Sequence, residues 1–206
     1  MEADAVGLRV VGCLIEKQRT TPDVYPLSLN ALRLACNQST NREPVVDYDE
    51  PTIRDALQRL SSKGWVRLAS GPTSRAVKYR HLFDEALGLS DSEISLLTVL
   101  MLRGAQTPGE LKTRTDRLHS FGDMGELAGT LGRLIERGLV ARLDRRPGQR
   151  EERYRHLLSE DGAEIEPPEA EPAAPSVGGN ERIERIERQL AELRAEIKAL
   201  REELGT

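Results

Sequence analysis

Arg54, Gln58 and Arg59 stand off a stripe of apolar residues, Ile53, Ala56, Leu57 and Leu60, that recurs at helical spacing. Guanidinium and amide groups placed in this way can make paired hydrogen bonds to guanine and adenine edges in a major groove. The same face also reads as an ordinary solvated one, with Asp55 and Arg59 forming an i, i+4 ion pair. Further cations gather around two turns: Arg67, Arg75, Lys78 and Arg80 at the first, and Arg142, Arg145, Arg146, Arg150, Arg153 and Arg155 at the second. Such turns can lie along phosphates or enter a minor groove. Many exposed arginines do neither, and Glu151 and Glu152 dilute the second group.

The polar run Asn37-Gln-Ser-Thr-Asn-Arg-Glu43 has two readings. Asn37, Gln38, Asn41 and Arg42 can grip phosphates or a peptide backbone. They can equally cap helix ends and fasten a long connection to the body. Catalysis has less to stand on. Cys13 adjoins Leu14 and Ile15, and Cys36 lies near Leu32, Leu34 and Ala35, the usual setting of cysteine as a small buried hydrophobe. His81 and His156 occupy equivalent places in a repeat and so read as parts of the fold. No phosphate loop, Cys-x-x-Cys pair or His/carboxylate cluster at metal spacing occurs. The expectation is a non-enzyme that needs no metal or cofactor.

The elements that must carry these residues follow from that repeat. Leu57-Gln-Arg-Leu-Ser-Ser-Lys-Gly-Trp-Val66 aligns with Leu131-Gly-Arg-Leu-Ile-Glu-Arg-Gly-Leu-Val140, and Tyr79-Arg-His-Leu-Phe83 aligns with Tyr154-Arg-His-Leu-Leu158. Thr21-Pro22 matches Thr107-Pro108, so the first copy carries extra residues between its second and third helices. Two copies of this length indicate tandem domains rather than a solenoid. Each reads helix, helix, helix, strand, turn, strand. In the first copy the helices cover about 5–18, 29–37 and 51–63, and the strands about 65–69 and 76–82. In the second, Ser90 and Glu93 form a capping box, Thr107 and Pro108 open the next helix, and Gly138 suits a left-handed cap after the third. Strands follow at about 139–143 and 151–157. That third helix, unlike its counterpart, presents Gly125, Gly129 and Gly132 beside a core stripe of Met124, Leu127, Leu131 and Leu134. A smooth face offers no base-reading side chains but lets another backbone come close; it is also readable as tolerated drift.

Charge divides the 206 residues further. Residues 1–89 hold 12 basic and 11 acidic side chains, and residues 90–158 hold 12 and 10. Residues 159–206 hold 6 and 13, so the net charge of -4 belongs to the tail. Pro167, Pro168, Pro172 and Pro175, set among glutamates, mark a linker that cannot bury enough apolar surface to order itself. Ile183, Ile186, Leu190, Leu193, Ile197, Leu200 and Leu204 then form an a/d heptad seam suited to a parallel homodimer. Alternatively, they form an amphipathic helix packed on its own domain. No run of apolar residues is long enough to cross a bilayer. Met1–Gly12 lacks the basic-then-apolar order of a signal peptide, so the expected location is the cytoplasm.

Three segments, Val11-Gly-Cys-Leu-Ile-Glu-Lys17, Thr20-Thr-Pro-Asp-Val-Tyr-Pro-Leu-Ser-Leu-Asn30 and Ala35-Cys-Asn-Gln-Ser-Thr-Asn-Arg-Glu-Pro44, resemble the YceH-like family of bacterial proteins, over roughly residues 8–158. The resemblance implies tandem winged-helix domains in a bacterial cytoplasm, and no established activity.

The expected architecture is mainly α with short β-hairpin wings. Two tandem winged-helix domains, 5–88 and 89–158, precede the acidic linker, 159–180, and a coiled-coil helix, 181–204. Two functions are open. One is a DNA-binding protein of the transcriptional-regulator kind, contacting double-stranded DNA through Arg54, Gln58, Arg59, Arg75, Lys78, Arg145, Arg146 and Arg150 and dimerising through the coil. The other is an assembly protein whose winged helices, the second above all, bind a protein partner.

Overall fold

Asp4 opens the first helix by accepting a hydrogen bond from the Gly7 amide at 2.8 Å, which satisfies one of the amides a helix start leaves without a partner. The helix, α1 (Ala5–Thr20), then buries every residue from Gly7 to Ile15. A helix buried on all sides belongs at the centre of a fold, and its neighbour there is a second such helix from the other repeat. The computed structural model of the protein describes residues 2–69, 77–145 and 151–159. All of them fall in one compact unit, Met1–Ile165; a second unit, Glu166–Thr206, lies outside the described residues, and with it the heptad seam.

After α1 come a short 3-10 turn (Pro22–Val24), β1 (Leu27–Ser28), α2 (Leu29–Cys36), α3 (Glu50–Ser62), β2 (Val66–Leu68) and β3 (Lys78–His81). A five-residue helix, α4 (Phe83–Leu87), leads into the second repeat: α5 (Asp91–Arg103), α6 (Pro108–Thr115), α7 (Met124–Glu136), β4 (Val140–Leu143) and β5 (Arg153–His156). The first sheet is antiparallel in the order β1-β3-β2, with Leu27 opposite Tyr79 and Leu68 opposite the same Tyr79 on the other side. In the second repeat β4 pairs with β5, and Gln106 makes an antiparallel bridge to Tyr154. That bridge stands where β1 stands in the first copy, since Tyr79 and Tyr154 align in sequence.

The repeats share their helix ends as well. Trp65 N donates to Leu60 O and Leu139 N donates to Leu134 O, both at 2.9 Å. Gly64 (φ 74°) and Gly138 (φ 66°) take the left-handed turn that this closure requires, a conformation glycine adopts at little steric cost. The capping box of Ser90 with Glu93 is present, and Thr107 with Glu110 forms another.

What joins the copies is the packing of α1 on α5. α5 buries everything from Glu93 to Leu102, and a Cβ on Gly12 would come within 2.9 Å of Leu102 Cδ2. The chain start adds a second tie, Ala3 N donating to Leu158 O at 2.9 Å.

Several expectations needed correction. α1 runs to Thr20, α2 stops at Cys36, and the strands are shorter than the alternation suggested. β1 and α4 were not expected. Met124 is 44% exposed and so leaves the core stripe of α7, while Leu34 is 57% exposed and turns away from Cys36.

Candidate nucleic-acid interface

The buried stripe of α3, Ile53, Ala56, Leu57 and Leu60, fixes which residues face outward. Asp49 caps the helix by accepting from the Thr52 amide at 2.9 Å, and Glu50 places a negative charge in the first turn. The exposed side therefore carries Arg54, Asp55, Gln58 and Arg59. The expected Asp55–Arg59 pair is replaced by another: Arg59 Nη2 lies 2.7 Å from Asp4 Oδ2, which ties α3 to the cap of α1. Arg54 approaches Glu50 at 3.9 Å, a solvated contact worth at most about 0.5 kcal/mol. Gln58 makes no side-chain hydrogen bond among the described residues. Arg54 and Gln58 are one helical turn apart on a single face.

The first hairpin adds Arg67, exposed on β2, with Lys78 and Arg80 half-buried on β3. Arg80 reaches Glu85 at 3.1 Å. On the second hairpin Arg142 faces Glu152 at 3.4 Å, and Arg145 is exposed. Arg75, Arg146 and Arg150 lie outside the described residues.

The polar run does something different. Arg42 is buried, donating to Ala35 O at 3.1 Å and Gln38 Oε1 at 3.0 Å. Its guanidinium also meets the Glu16 carboxylate, at 3.1 Å and 2.5 Å. Burial works against the Arg42 charge, but the hydrogen bond to the Glu16 carboxylate, together with the surrounding electrostatics, holds the guanidinium pKa above its ordinary value. Asn37 donates to Tyr48 O at 2.8 Å and accepts from Tyr48 N at 2.9 Å, closing the connection like a backbone pair. Asn41 accepts from Arg103 on α5. Fastening describes the contacts of Asn37 and Arg42, while Gln38 and Asn41 also line a cleft beside the run.

On α7, Gly125, Gly129 and Gly132 lie along the outer side, where a Cβ on Gly132 would meet nothing within 4 Å. Arg137 is drawn inward instead, donating to Leu87 O and Gly88 O and meeting Glu93 at 3.3 Å.

Cys13 and Cys36 are both buried, and Cys13 donates to Ala35 O at 3.4 Å. The hydrogen bond that the Cys36 thiol donates to Cys13, together with burial, pushes the Cys36 thiol well above its usual range, so it is not poised as a nucleophile. His81 is buried, with Nε2 donating to Gln18 Oε1 and its backbone amide donating to Tyr25 Oη at 2.8 Å. Burial lowers the pKa of both His81 and His156 to about 4, so both rings are neutral at pH 7. Among the described residues, no three His, Cys, Asp or Glu side chains converge to hold a metal ion. No described helix is long and apolar enough to cross a membrane.

Sequence reasoning missed one concentration of charge. Lys17, Arg103, Arg114 and Arg117 line a cleft of ≈ 240 Å³ where the two repeats meet. They are distributed over three helices, the turn after the last of them, and 100 residues, with no motif spacing to betray them.

A family model described as "Protein of unknown function, DUF480" matches residues 3–149. The chain is 45% identical over 206 residues to UPF0502 protein PC1_1804 of Pectobacterium carotovorum, covering 97% of this chain and 98% of that one. It is 44% identical over 211 residues to UPF0502 protein YceH of Salmonella agona, covering 99% and 98%.

Proposed function

The chain belongs to the DUF480 family, also represented by the UPF0502 proteins, and from that premise we propose that it is a cytoplasmic DNA-binding protein, a regulator rather than an enzyme. Its body is read as two tandem winged-helix domains. Support for this comes from the order helix, strand, helix, helix, hairpin, and from the β1-β3-β2 arrangement with its one-bridge equivalent at Gln106 and Tyr154. The observation that carries the functional reading is the outer face of α3. Arg54 and Gln58 project one turn apart from a helix anchored along its whole inner side, which is how a recognition helix offers side chains to base edges.

Phosphate contacts release counterions, so affinity for duplex DNA must fall steeply as salt rises. A salt-insensitive or absent interaction turns the reading over.

A second reading, an assembly protein, is favoured by one observation. The outer side of α7 joins its glycines to the exposed apolar Met124 and Ile135, a surface suited to close packing rather than to base reading. In the combined proposal the first repeat touches DNA and the second docks protein, while residues 181–204 dimerise the chain as a parallel coil. Sedimentation checks the last part: a chain ending at Glu160 sediments as a monomer where the full chain is a concentration-dependent dimer. An unchanged dimer removes the coil from the account.

A further inference from the structure

The cleft between the repeats differs from every other surface described above in that cations from separate elements converge on one concavity. α1 contributes Lys17, α5 contributes Arg103, α6 contributes Arg114, and the turn after α6 contributes Arg117. Only Glu16 among the lining residues carries negative charge, and both of its oxygens are engaged by the buried Arg42. Arg114 shares the Glu110 carboxylate at 3.3 Å, while Lys17 and Arg117 form no ion pair among the described residues. The floor is apolar: Val99 and Leu102 are buried, 4% and 3% exposed. The rim adds the exposed Thr40 and Asn41 from the loop that Arg42 anchors. A fixed wall of this kind, with its loop pinned from behind, is preorganised to receive a ligand without first being ordered.

We propose that this cleft binds a small phosphate-bearing anion, its phosphate among Lys17, Arg103 and Arg117 and its uncharged body on Val99 and Leu102. Repulsion already present among the cations argues the same way. Burial, then Arg114, lowers the Arg103 pKa and Glu16 only partly offsets this, so an anion in the cleft relieves a cost that remains. The volume of ≈ 240 Å³ suits a small metabolite, being roughly that of eight water molecules. A duplex backbone could supply the same phosphate chemistry. The apolar floor of Val99 and Leu102 has no counterpart in a duplex backbone, so the assignment is to a free ligand. The site lies at the junction of α1, α5 and α6. The proposal does not rest on DNA binding.

The test titrates the full chain calorimetrically with ribose 5-phosphate, with pyrophosphate, and with ribose as the neutral control. Ribose 5-phosphate and pyrophosphate should bind and ribose should not. Lys17→Gln with Arg117→Gln should weaken both phosphates at least tenfold while leaving the thermal transition of the unliganded chain in place. Arg54→Ala with Gln58→Ala should leave them unchanged, which separates this site from the α3 face. No heat with either phosphate overturns the proposal, as does binding that the Lys17/Arg117 change leaves intact. If that double variant does not fold, Arg117→Gln alone replaces it, with a threefold or greater loss expected and an unchanged affinity fatal. Displacement of bound ribose 5-phosphate by a short DNA duplex would assign the cleft to backbone phosphate and overturn the free-ligand assignment.

Discussion

Arg42 and Glu16, 26 residues apart, meet as a buried ion pair whose closest contact is 2.5 Å, the arginine side chain being fully inaccessible. The pair pins the long connection between α2 and α3 against α1, and that connection in turn reaches the second repeat through Glu43 N, which donates to Leu102 O at 2.8 Å. Removing Glu16 leaves the fully buried Arg42 charge without its carboxylate, whereas Glu16 itself is 17% exposed. Glu16→Ala should therefore cost about 3–5 kcal/mol in denaturant unfolding, and Arg42→Ala less. Arg42→Met with Glu16→Leu should recover much of that loss, because two apolar groups of similar size carry no desolvation penalty. A single variant that unfolds like the wild type contradicts the assignment of this loop to the framework.

The two neutral histidines give stability a pH dependence of defined sign. Their folded pKa values, about 4, lie below the ordinary 6.5. Between those limits the unfolded chain binds more protons than the folded one, so stability is complete above pH 6.5 and is lost as pH falls toward 4. At 1.36 kcal/mol per pKa unit the loss for the His81 ring is on the order of 3 kcal/mol. Thermal melts between pH 7 and 4 measure it, and His81→Gln should flatten the fall. A pH-independent midpoint across that range refutes the burial argument.

Gly129 and Gly132 weaken α7 without any steric need in this chain alone, whereas a Cβ on Gly125 would come 3.1 Å from the capping Asp123 carboxylate. No atom stands within 4 Å of a Cβ at Gly132, and only Arg133 Nη1, at 3.9 Å, approaches one at Gly129. Gly132→Ala should accordingly raise stability by about 0.5–1 kcal/mol. Gly129→Leu should leave folding and DNA binding intact while weakening whatever packs on this face. DNA binding lost in a still-folded Gly129→Leu protein would end the division of labour between the repeats.

Much of the fold was readable because it rests on local signals. The aligned Gly64 and Gly138, the Ser90/Glu93 box and the Thr107-Pro108 start each act within one turn of helix, and each appears where its residues predicted. β1 was not readable, since two residues become a strand only by pairing with Tyr79, about fifty residues away. Arg42 was readable as a fastener of its connection, but its partner was not, because Glu16 lies on another helix 26 residues away. Met124 and Leu34 kept helical spacing with their apolar neighbours, yet spacing cannot tell which end of a helix overhangs the core. The α3 face was legible by subtraction, because its buried stripe was. The cleft was not, as its cations come together only when α1 packs on α5.

The central claim is that Arg54 and Gln58 read DNA from the first repeat, and the most direct measurement is anisotropy of labelled genomic duplex fragments titrated with the full chain across a salt series. The wild type should bind with an affinity that falls steeply with salt, and Arg54→Ala with Gln58→Ala should weaken binding about ten- to a hundredfold, given roughly 1–3 kcal/mol for a good base contact. Binding that is absent, or that neither salt nor the double substitution changes, would contradict it.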